Sequence, residues 1–304
     1  MKNRSSASGR RKLAPKFAPG AYRELIVNAL MEDAPDGDIT TTSTVAADSV
    51  CTARLVAKES LTLAGIGLFE EAFRILDPDV KMKKSFTDGQ AIPKGSIVAA
   101  LKGNARAILT AERVALNFLQ RLSGIATLTR RFADAVEGTG CAILDTRKTT
   151  PLLRDLEKYA VRMGGGKNHR RDLSEMVLIK ENHIAAAGGI IRAVEMVKKS
   201  LPRDVFIEVE VRDAGELEQA LLAGVDRVLL DNMTPAQVRA AVKHVGGRVK
   251  TEASGNMTVE TVRAYAKAGV DYISVGKLTH SAPASDFSLM IEPGKSARKP
   301  PISR

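Results

Sequence analysis

The second half of the chain alternates between short apolar segments and amphipathic segments, and this alternation limits the fold more than any other feature. Apolar segments of strand length cover residues 141–146, 176–180, 205–211, 226–231, 248–253 and 270–276. Helical patterns lie between them at 152–163, 188–200, 214–223, 235–244 and 258–268. Strands that alternate with helices in this way predict a parallel sheet or barrel. Six strands are two fewer than a complete eight-stranded barrel needs, so we expect an incomplete parallel α/β barrel.

A smaller α+β domain precedes the barrel. Its predicted helices cover residues 20–34 and 65–76, its predicted strands cover 51–59, 80–86 and 96–102, and the run 39–42 favours a further strand. A turn rich in Gly and Pro joins the last two strands, which is typical of an antiparallel sheet. A nearly continuous helix from 104 to 136, with a break expected near Gly124, leads into the barrel. We therefore expect an N-terminal domain over 20–130 and a catalytic barrel domain over 131–292.

The net charge of +11 comes almost entirely from the two ends of the chain. Residues 1–19 contain six Lys or Arg and residues 295–304 contain four, and neither segment contains an acidic residue. Without these ten, 36 Lys and Arg remain against 35 Asp and Glu, so the body is nearly neutral. A neutral body without Trp does not have the pattern of a nucleic-acid-binding protein. We expect a basic disordered extension over 1–19, which lacks the amphipathic face of a transit peptide, and a basic tail over 293–304.

Cysteine content and hydropathy indicate the compartment. No apolar run is long enough to span a bilayer, so we expect no membrane association. The two cysteines, Cys51 and Cys141, lack the spacing of metal ligands and form no disulfide framework. The sequence therefore indicates a cytoplasmic protein in a reducing environment.

Polar residues or glycine end every predicted strand of the barrel. In chain order these ends are Arg147 and Lys148, Lys180, Glu210, Asp231, Ser254 and Gly276. In barrel enzymes the carboxyl ends of the strands form one rim, and the active site lies there. The alternation of side chains supports this placement, because Lys180 shares a strand face with Leu178 and Met176 and ends that apolar column.

The cations near the rim predict a small, strongly anionic ligand. Arg147 and Lys148 follow a strand directly, and the loop GGGKNHR carries His169 and Arg170 behind three glycines that could turn N–H groups toward an anion. Arginine fits carboxylate and phosphate with its planar fork, and lysine offers a point charge. A solvated turn and a flexible surface loop are the alternatives, and a lone histidine is more often packed or capping than catalytic.

Two carboxylates and two small-residue turns complete the predicted rim. Glu210 and Asp231 end adjacent strands and suit a hydroxyl clamp, a Mg²⁺ site or stabilisation of positive charge, although salt bridges to Lys180 and Arg147 would also explain them. The turns after the last two strands suit a phosphate, and ordinary turn chemistry explains them equally well. The turns are Ser254-Gly255-Asn256 and Val275-Gly276-Lys277.

Nine motifs resemble the quinolinate phosphoribosyltransferases, also called carboxylating nicotinate-nucleotide pyrophosphorylases. The motifs are GDITTT, AERVALNFLQRLSGIAT, DTRKTTP, LEKYAVRMGGGKNHR, LIKENHI, IEVEV, LLDN, EASGN and SVGKLTHSAP. The resemblance covers residues 22–291 and leaves only the ends of the chain outside it. It implies a pentosyltransferase that converts quinolinate and phosphoribosyl pyrophosphate to nicotinate mononucleotide, pyrophosphate and CO₂ in de novo NAD biosynthesis. It also implies Mg²⁺ as the cofactor and a head-to-tail homodimer, with assembly into hexamers left open.

Residue roles follow from the same resemblance. It implies that Arg147, His169 and Arg170 bind the two carboxylates of quinolinate. Lys148 and Lys180 would face anionic groups of the ligands, as would Arg113 from the partner subunit, while Glu210 and Asp231 would hold ribose hydroxyls and Mg²⁺. The 5′-phosphate site would consist of Ser254, Gly255, Asn256 and Gly276, and Thr146, Val275 and Lys277 would complete the substrate site. Lys148, Lys180, Glu210 and Asp231 would be catalytic. Lys167, Asp172 and Lys277 depart from the usual pattern without removing a charge that the reaction needs.

Two other functions remain as alternatives from the sequence. One is a protein of the same fold, similar to that found with molybdate-transport genes, acting on another anionic substrate. The other is nucleic-acid binding through the basic ends of the chain, which deletion of those ends would abolish.

Overall fold

The structure is a computed structural model that describes residues 18–202 and 205–293. The predicted extension over 1–19 and the predicted tail over 293–304 lie almost wholly outside these residues. The described chain forms an antiparallel sheet with flanking helices, followed by a parallel sheet of six strands. The expected combination of an α+β domain and an incomplete α/β barrel is therefore confirmed.

The antiparallel sheet contains a strand that the sequence did not predict. Its strands are β1 (Val50–Ala57), β3 (Lys81–Lys84), β5 (Ile97–Asn104) and β12 (Phe287–Pro293), in the order β12-β1-β5-β3. Two short strands, β2 (Leu61–Thr62) and β4 (Ala91–Ile92), pair separately. The last strand of the described chain, β12, thus returns to pair with β1 in antiparallel register. Because β12 follows the barrel in the chain but pairs within the N-terminal sheet, the domain limits at 130 and 292 stay a prediction.

The run 39–42 is helical, so the prediction of a strand there is wrong. The helices of this part are a 3₁₀ turn (Pro19–Tyr22), α1 (Arg23–Asp33), α2 (Ile39–Thr44) and α3 (Ile66–Leu76). Asp38 caps α2, since its carboxylate accepts a hydrogen bond from the N–H of Thr41 at 2.9 Å. The hydroxyls of Thr42 and Thr44 donate back to backbone carbonyls of the same segment. These local hydrogen bonds outweigh the strand propensity of β-branched residues.

Helix α4 (Ala105–Ala135) joins the two sheets without interruption, so the predicted break near Gly124 is wrong. The glycine is needed for close approach, because a Cβ at this position would lie 1.9 Å from the carbonyl oxygen of Pro283. The helix packs against α3 on one side and against helices of the barrel on the other.

The parallel sheet is a barrel that stays open between its first two strands. The strands are β6 (Ala142–Leu144), β7 (Val177–Ile179), β8 (Ile207–Val211), β9 (Arg227–Asp231), β10 (Lys250–Ser254) and β11 (Tyr272–Ser274), in the order β6-β11-β10-β9-β8-β7. Strands β6 and β7 follow each other in the chain yet lie at opposite edges. A single bridge between Leu144 and Lys167 extends the sheet beyond β6.

Helices follow the barrel strands, as the alternation predicted. They are α5 (Arg154–Met163), α6 (Glu181–Ala187), α7 (Ile190–Ser200), α8 (Ala214–Ala223), α9 (Pro235–Val245), α10 (Val259–Ala266) and α11 (Lys277–His280). The helix predicted over 188–200 corresponds to α7, whereas α6 was not predicted. Gly188 and Gly189 adopt positive φ and separate the two helices. Parallel strands place all their carboxyl ends at one face, and the cleft lies there.

Candidate active site

A cleft of about 630 Å³ lies at the carboxyl ends of the barrel strands. It is lined by every residue that the sequence predicted for the substrate site except Arg113, together with Leu178, Leu229, Asn232, Glu252, Met257, Ser274 and His280. Arg113 is exposed on α4 and does not line this cleft. The fold thus brings residues of five strands, β7 to β11, and of the segment that follows β6 into one site, whereas their individual roles stay predictions.

Two arginines give the cleft a cationic wall. Arg170 is buried, and its Nη1 donates to the carbonyl oxygen of Met176 at 3.1 Å. The pKa of Arg170 is lowered, first by burial and then by the like charge of Arg147. Arg147 has a buried Nε without a hydrogen-bond partner, and neither arginine forms an ion pair within residues 18–202 and 205–293. Two neighbouring guanidinium groups that lack carboxylates of their own suit an anionic ligand.

The glycine loop before His169 serves packing, so the expectation that its N–H groups face an anion is wrong. The N–H groups of Gly164, Gly165 and Gly166 donate to carbonyls of α5 at 3.0 Å each. A Cβ on Gly164 would lie 2.4 Å from the carbonyl oxygen of Ala126, so only glycine lets the loop approach α4. The loop thus contributes to the site through the residues that follow it.

The backbone of His169 is held by buried charges. Its N–H donates to the carboxylate of Asp145 at 2.8 Å, and its carbonyl oxygen accepts from Lys158 Nζ at 3.0 Å. Asp145 and Lys158 themselves are joined at 2.5 Å. Asp145 is an acidic residue that directly follows an apolar strand, and no local pattern in the sequence indicates Lys158 as its partner.

The ring of His169 makes hydrogen bonds at both nitrogens. Nδ1 accepts the backbone N–H of Arg170 at 2.7 Å, so the proton lies on Nε2, which is 3.0 Å from Glu208 Oε2 and 3.6 Å from Glu252 Oε2. Burial lowers the pKa of His169, which favours this neutral form. The direct contact between His169 and substrate that the resemblance implied stays a prediction, because both ring nitrogens already have protein partners.

Beneath the cleft lies a charged cluster that the sequence analysis missed. Arg227 Nη1 is 2.7 Å from Glu252 Oε2 and 3.8 Å from Glu208 Oε2, and its guanidinium lies over the rings of Phe206 and Tyr272. Burial raises the pKa of Glu208 and of Glu252, and the Oε1 atom of each lacks a hydrogen-bond partner. Strand alternation could have revealed this layer, since each charged residue precedes a rim residue by a multiple of two positions.

The same cluster has the composition of a metal site, but an arginine of the protein already pairs with its carboxylates. Ligand atoms of His169, Glu208 and Glu252 lie within 4.8 Å of one another. Arg227 occupies the space beside the two carboxylates, and its positive charge opposes a cation there. We therefore assign the cluster to support of the cleft floor.

The carboxylates at the rim, by contrast, suit a cation or hydroxyl groups. Glu210 accepts a hydrogen bond from Lys180 Nζ at 2.8 Å, so the predicted salt bridge is confirmed for this pair. Asp231 bonds to the amide of Asn232 at 2.7 Å, and its pKa is raised by burial and then by the negative charge of Glu210. Carboxylate oxygens that repel one another could hold hydroxyl groups or a divalent cation, and the assignment of Mg²⁺ to them stays a prediction.

The two turns at the far end of the cleft present unpaired donors. The backbone N–H groups of Gly255, Asn256, Gly276 and Lys277 donate to no acceptor in the described part of the chain. Gly255 has φ +114°, and a Cβ there would lie 2.3 Å from Asn232 Oδ1. A Cβ on Gly276 would lie 2.9 Å from the side chain of Lys148. The crowding and the positive φ require glycine at position 255, whereas the contact at position 276 is with a flexible lysine side chain. The free donors of both turns suit a phosphate.

A second buried ion pair supports the segment that carries Arg147 and Lys148. Glu157 on α5 accepts from the N–H and hydroxyl of Thr150, at 3.1 and 2.8 Å. Arg121 on α4 reaches the same carboxylate at 2.8 Å. Sequence reasoning did not find this contact, because its members are distant in the chain and have no shared motif.

Comparison with known proteins gives consistent matches. Family models described as "Quinolinate phosphoribosyl transferase, N-terminal domain" and "C-terminal domain" match residues 38–123 and 125–290. A probable nicotinate-nucleotide pyrophosphorylase [carboxylating] of Bacillus subtilis is 43% identical over 267 residues, which cover 88% of this chain and 92% of that protein. A quinolinate phosphoribosyltransferase [decarboxylating] of Nicotiana tabacum is 44% identical, with 87% of this chain and 80% of that protein covered.

Solved structures agree with the sequence matches. NadC from Streptococcus pyogenes superposes with a TM-score of 0.89 at 39% identity and covers 92% of this chain and 99% of its own. The nicotinate-nucleotide pyrophosphorylase from Francisella tularensis has a TM-score of 0.88 at 41% identity, and the match covers 93% of this chain and 100% of that one.

Within the described residues, no helix is both long and apolar enough to cross a membrane.

Proposed function

The chain belongs to the quinolinate phosphoribosyltransferase family, and from this premise we propose how its cleft carries out the family's reaction. The enzyme transfers phosphoribosyl from phosphoribosyl pyrophosphate to quinolinate with decarboxylation, giving nicotinate mononucleotide, pyrophosphate and CO₂ for NAD biosynthesis. The observation that carries the assignment is the cleft itself, which joins unpaired arginines at one end to carboxylates and free N–H donors at the other. The alternative of a molybdate-transport-associated protein is not favoured, because close relatives are nicotinate-nucleotide pyrophosphorylases.

Quinolinate binds at the arginine end. Among the described residues, no carboxylate lies within ion-pair distance of Arg147 or Arg170, so the two carboxylates of quinolinate can pair with them. His169 holds the backbone N–H of Arg170 and thereby helps to set the position of that arginine. The cost of leaving buried cations unmatched gives selectivity for a dicarboxylate.

Phosphoribosyl pyrophosphate binds across the remaining rim. The 5′-phosphate accepts hydrogen bonds from the free N–H groups of the turns at Gly255 and Gly276, and the ribose hydroxyls donate to Glu210 and Asp231. Lys148 and Lys180 face the pyrophosphate. Mg²⁺ fits beside Glu210 and Asp231, where it would neutralise charge on the pyrophosphate.

The chemistry follows from electrostatics rather than from a nucleophilic side chain. As the ring nitrogen of quinolinate attacks C1 of the ribose and the bond to pyrophosphate breaks, negative charge grows on the leaving group and positive charge on the sugar. Lys148 and Lys180 stabilise the negative charge on the leaving pyrophosphate, and Glu210 and Asp231 stabilise the positive charge on the sugar. The ring nitrogen is then quaternary, and its positive charge stabilises the electron pair left on the adjacent ring carbon when the neighbouring carboxylate leaves as CO₂. That carbon then takes up a proton, for which solvent is a sufficient source, to give nicotinate mononucleotide.

A homodimer completes the site in this proposal. Arg113 is exposed on α4 and lies outside the cleft of its own chain, as expected for a residue that serves a partner subunit. A cytoplasmic location is proposed from the two unpaired cysteines.

The proposal is tested by mixing the protein with quinolinate, phosphoribosyl pyrophosphate and Mg²⁺ and following nicotinate mononucleotide and CO₂. Lys180→Ala, prepared identically, is the control for contaminating activity. We expect quinolinate to be used and nicotinate, which lacks one carboxylate, to be rejected. No product from quinolinate, or comparable turnover of nicotinate, would contradict the proposal.

A further inference from the structure

The peptide unit around His169 is fixed by a buried ion pair rather than by ordinary secondary structure. Asp145 follows β6 and is fully buried, and Lys158 lies inside α5 and is 3% exposed. Asp145 accepts the N–H of His169 while Lys158 donates to its carbonyl oxygen. Each charge of the pair therefore bonds to a different polar group of one residue.

The neighbouring residue is held by the same pair. The amide of Asn168 donates to Asp145 Oδ2 at 2.5 Å and to the carbonyl oxygen of Lys158 at 2.9 Å. Its Oδ1 accepts from Arg162 at 2.5 Å. The short segment 168–169 is thus attached to two rigid elements, β6 and α5, immediately before the arginine that enters the cleft.

Stability alone does not explain why charges occupy these positions. Taking an acid and a base out of water is costly, and an apolar pair of similar volume is often as stable or more stable. An apolar pair, however, could bond neither the N–H nor the carbonyl oxygen of His169. The two charges are therefore explained by their hydrogen bonds to the N–H and the carbonyl oxygen of His169.

We propose that Asp145 and Lys158 are positioning residues, which fix the His169 peptide so that Arg170 faces the cleft in the orientation that receives a substrate carboxylate. The link from His169 to Arg170 is direct, since the ring of His169 accepts the N–H of Arg170 at 2.7 Å. The inference rests on the proposed function only in taking that carboxylate to belong to quinolinate.

The decisive variant is the double substitution Asp145→Leu with Lys158→Met, which removes both charges together and leaves neither unpaired. We expect the protein to fold, with KM for phosphoribosyl pyrophosphate within about twofold of wild type. KM for quinolinate should rise about 10- to 100-fold, which corresponds to the loss of hydrogen bonds of ordinary strength. A role in stability alone predicts that neither KM changes once the variant is folded.

A second double variant separates hydrogen bonding from charge. Asp145→Asn with Lys158→Met also removes both charges, but its amide oxygen can still accept the N–H of His169. We expect it to regain part of the affinity for quinolinate. Asp155→Asn is the matched control, because it breaks a surface ion pair between the same helix and Arg171 in the same loop, and it should leave both KM values unchanged.

The outcomes are distinguishable from failure of the proposed function. If wild type does not use quinolinate, the proposed function fails. If wild type is active and the leucine double variant keeps its KM for quinolinate, positioning by the pair is refuted. An equal loss for both substrates, or equal KM values for the two double variants, would also overturn the inference. Failure of both double variants to fold would show that the pair serves the fold itself and would refute it as well.

Discussion

Arg227 is the residue whose removal should most disturb the barrel interior, and Arg227→Met is the substitution that tests this. Its guanidinium lies 3.8 Å from Glu208 and 2.7 Å from Glu252, and it stacks on Phe206 and Tyr272. Methionine fills similar space and keeps contact with the rings, but it leaves the two carboxylates without a positive neighbour of this strength.

The expected loss of unfolding free energy is about 3–5 kcal/mol, which is typical when one partner of a buried ion pair is removed. The two cation–π contacts would add about 1–2 kcal/mol, and contacts of the thioether with the same rings offset part of that. Such a loss is a large share of the roughly 5–15 kcal/mol by which domains are stable.

The loss should depend on pH with a definite sign. Burial raises the pKa of Glu208 and Glu252 above the ordinary value of 4.5, so these groups bind more protons in the folded state than in the unfolded state. Stability contributed by such groups is therefore present below pH 4.5 and falls as pH rises above it. Without Arg227 both pKa values rise further, so the difference between variant and wild type should widen from pH 5 to pH 8.

Urea unfolding at pH 5, 6.5 and 8 measures both effects. The midpoint for Arg227→Met should lie well below that of wild type, with a similar slope. Arg212→Met is the matched control, since Arg212 forms surface ion pairs with Glu181 and Glu216, and its loss should be far smaller. A loss no larger than that of the control, or a difference that narrows as pH rises, would refute the account of the cluster.

Two further predictions concern substrate roles. Arg147→Ala and Arg170→Ala should each weaken quinolinate binding by about 2–5 kcal/mol, the cost of losing a buried charged contact, and should weaken phosphoribosyl pyrophosphate binding much less. Calorimetry with each ligand separately measures both effects. Equal losses for the two ligands would contradict the assignment. Arg113→Ala and Lys180→Ala chains should each be nearly inactive alone. When equal amounts of the two are mixed and exchange subunits, half of the dimers contain one chain of each kind, and each of these has one intact site. The mixture should therefore recover about a quarter of wild-type activity. No recovery despite proven exchange would exclude Arg113 from the partner's site.

The barrel and its rim could be predicted because parallel strands have a strict geometry. Once the strands were placed, side-chain alternation put Lys180, Glu210 and Asp231 at one edge, where the structure brings them together. The cationic character of the cleft followed from residue type at those positions. These inferences needed only local periodicity and one rule about sheets.

The remaining features depend on contacts that local patterns do not contain. The glycines of the loop before His169 are required by the approach of α4, and Gly124 is required by the segment at Pro283. Strand alternation places Arg227 on the same face as Asp231, but a charged residue early in a strand is usually a surface residue; only its carboxylate partners on neighbouring strands show that it belongs inside. The segment Ile39–Thr44 is helical despite its strand propensity, because Asp38 caps its first turn with a hydrogen bond that the sequence pattern does not show.

The return of β12 to β1 affects how the chain can fold as it is synthesised. Ala57 pairs with Phe287, so the two strands leave the ribosome 230 residues apart. At about 5–20 residues per second, roughly 10 to 50 seconds pass before β12 exists. Throughout this interval β1 has one open edge, which is a template for pairing with other chains. The edge of the nascent N-terminal sheet therefore stays open until the barrel has been made, and pairing with β12 then covers it.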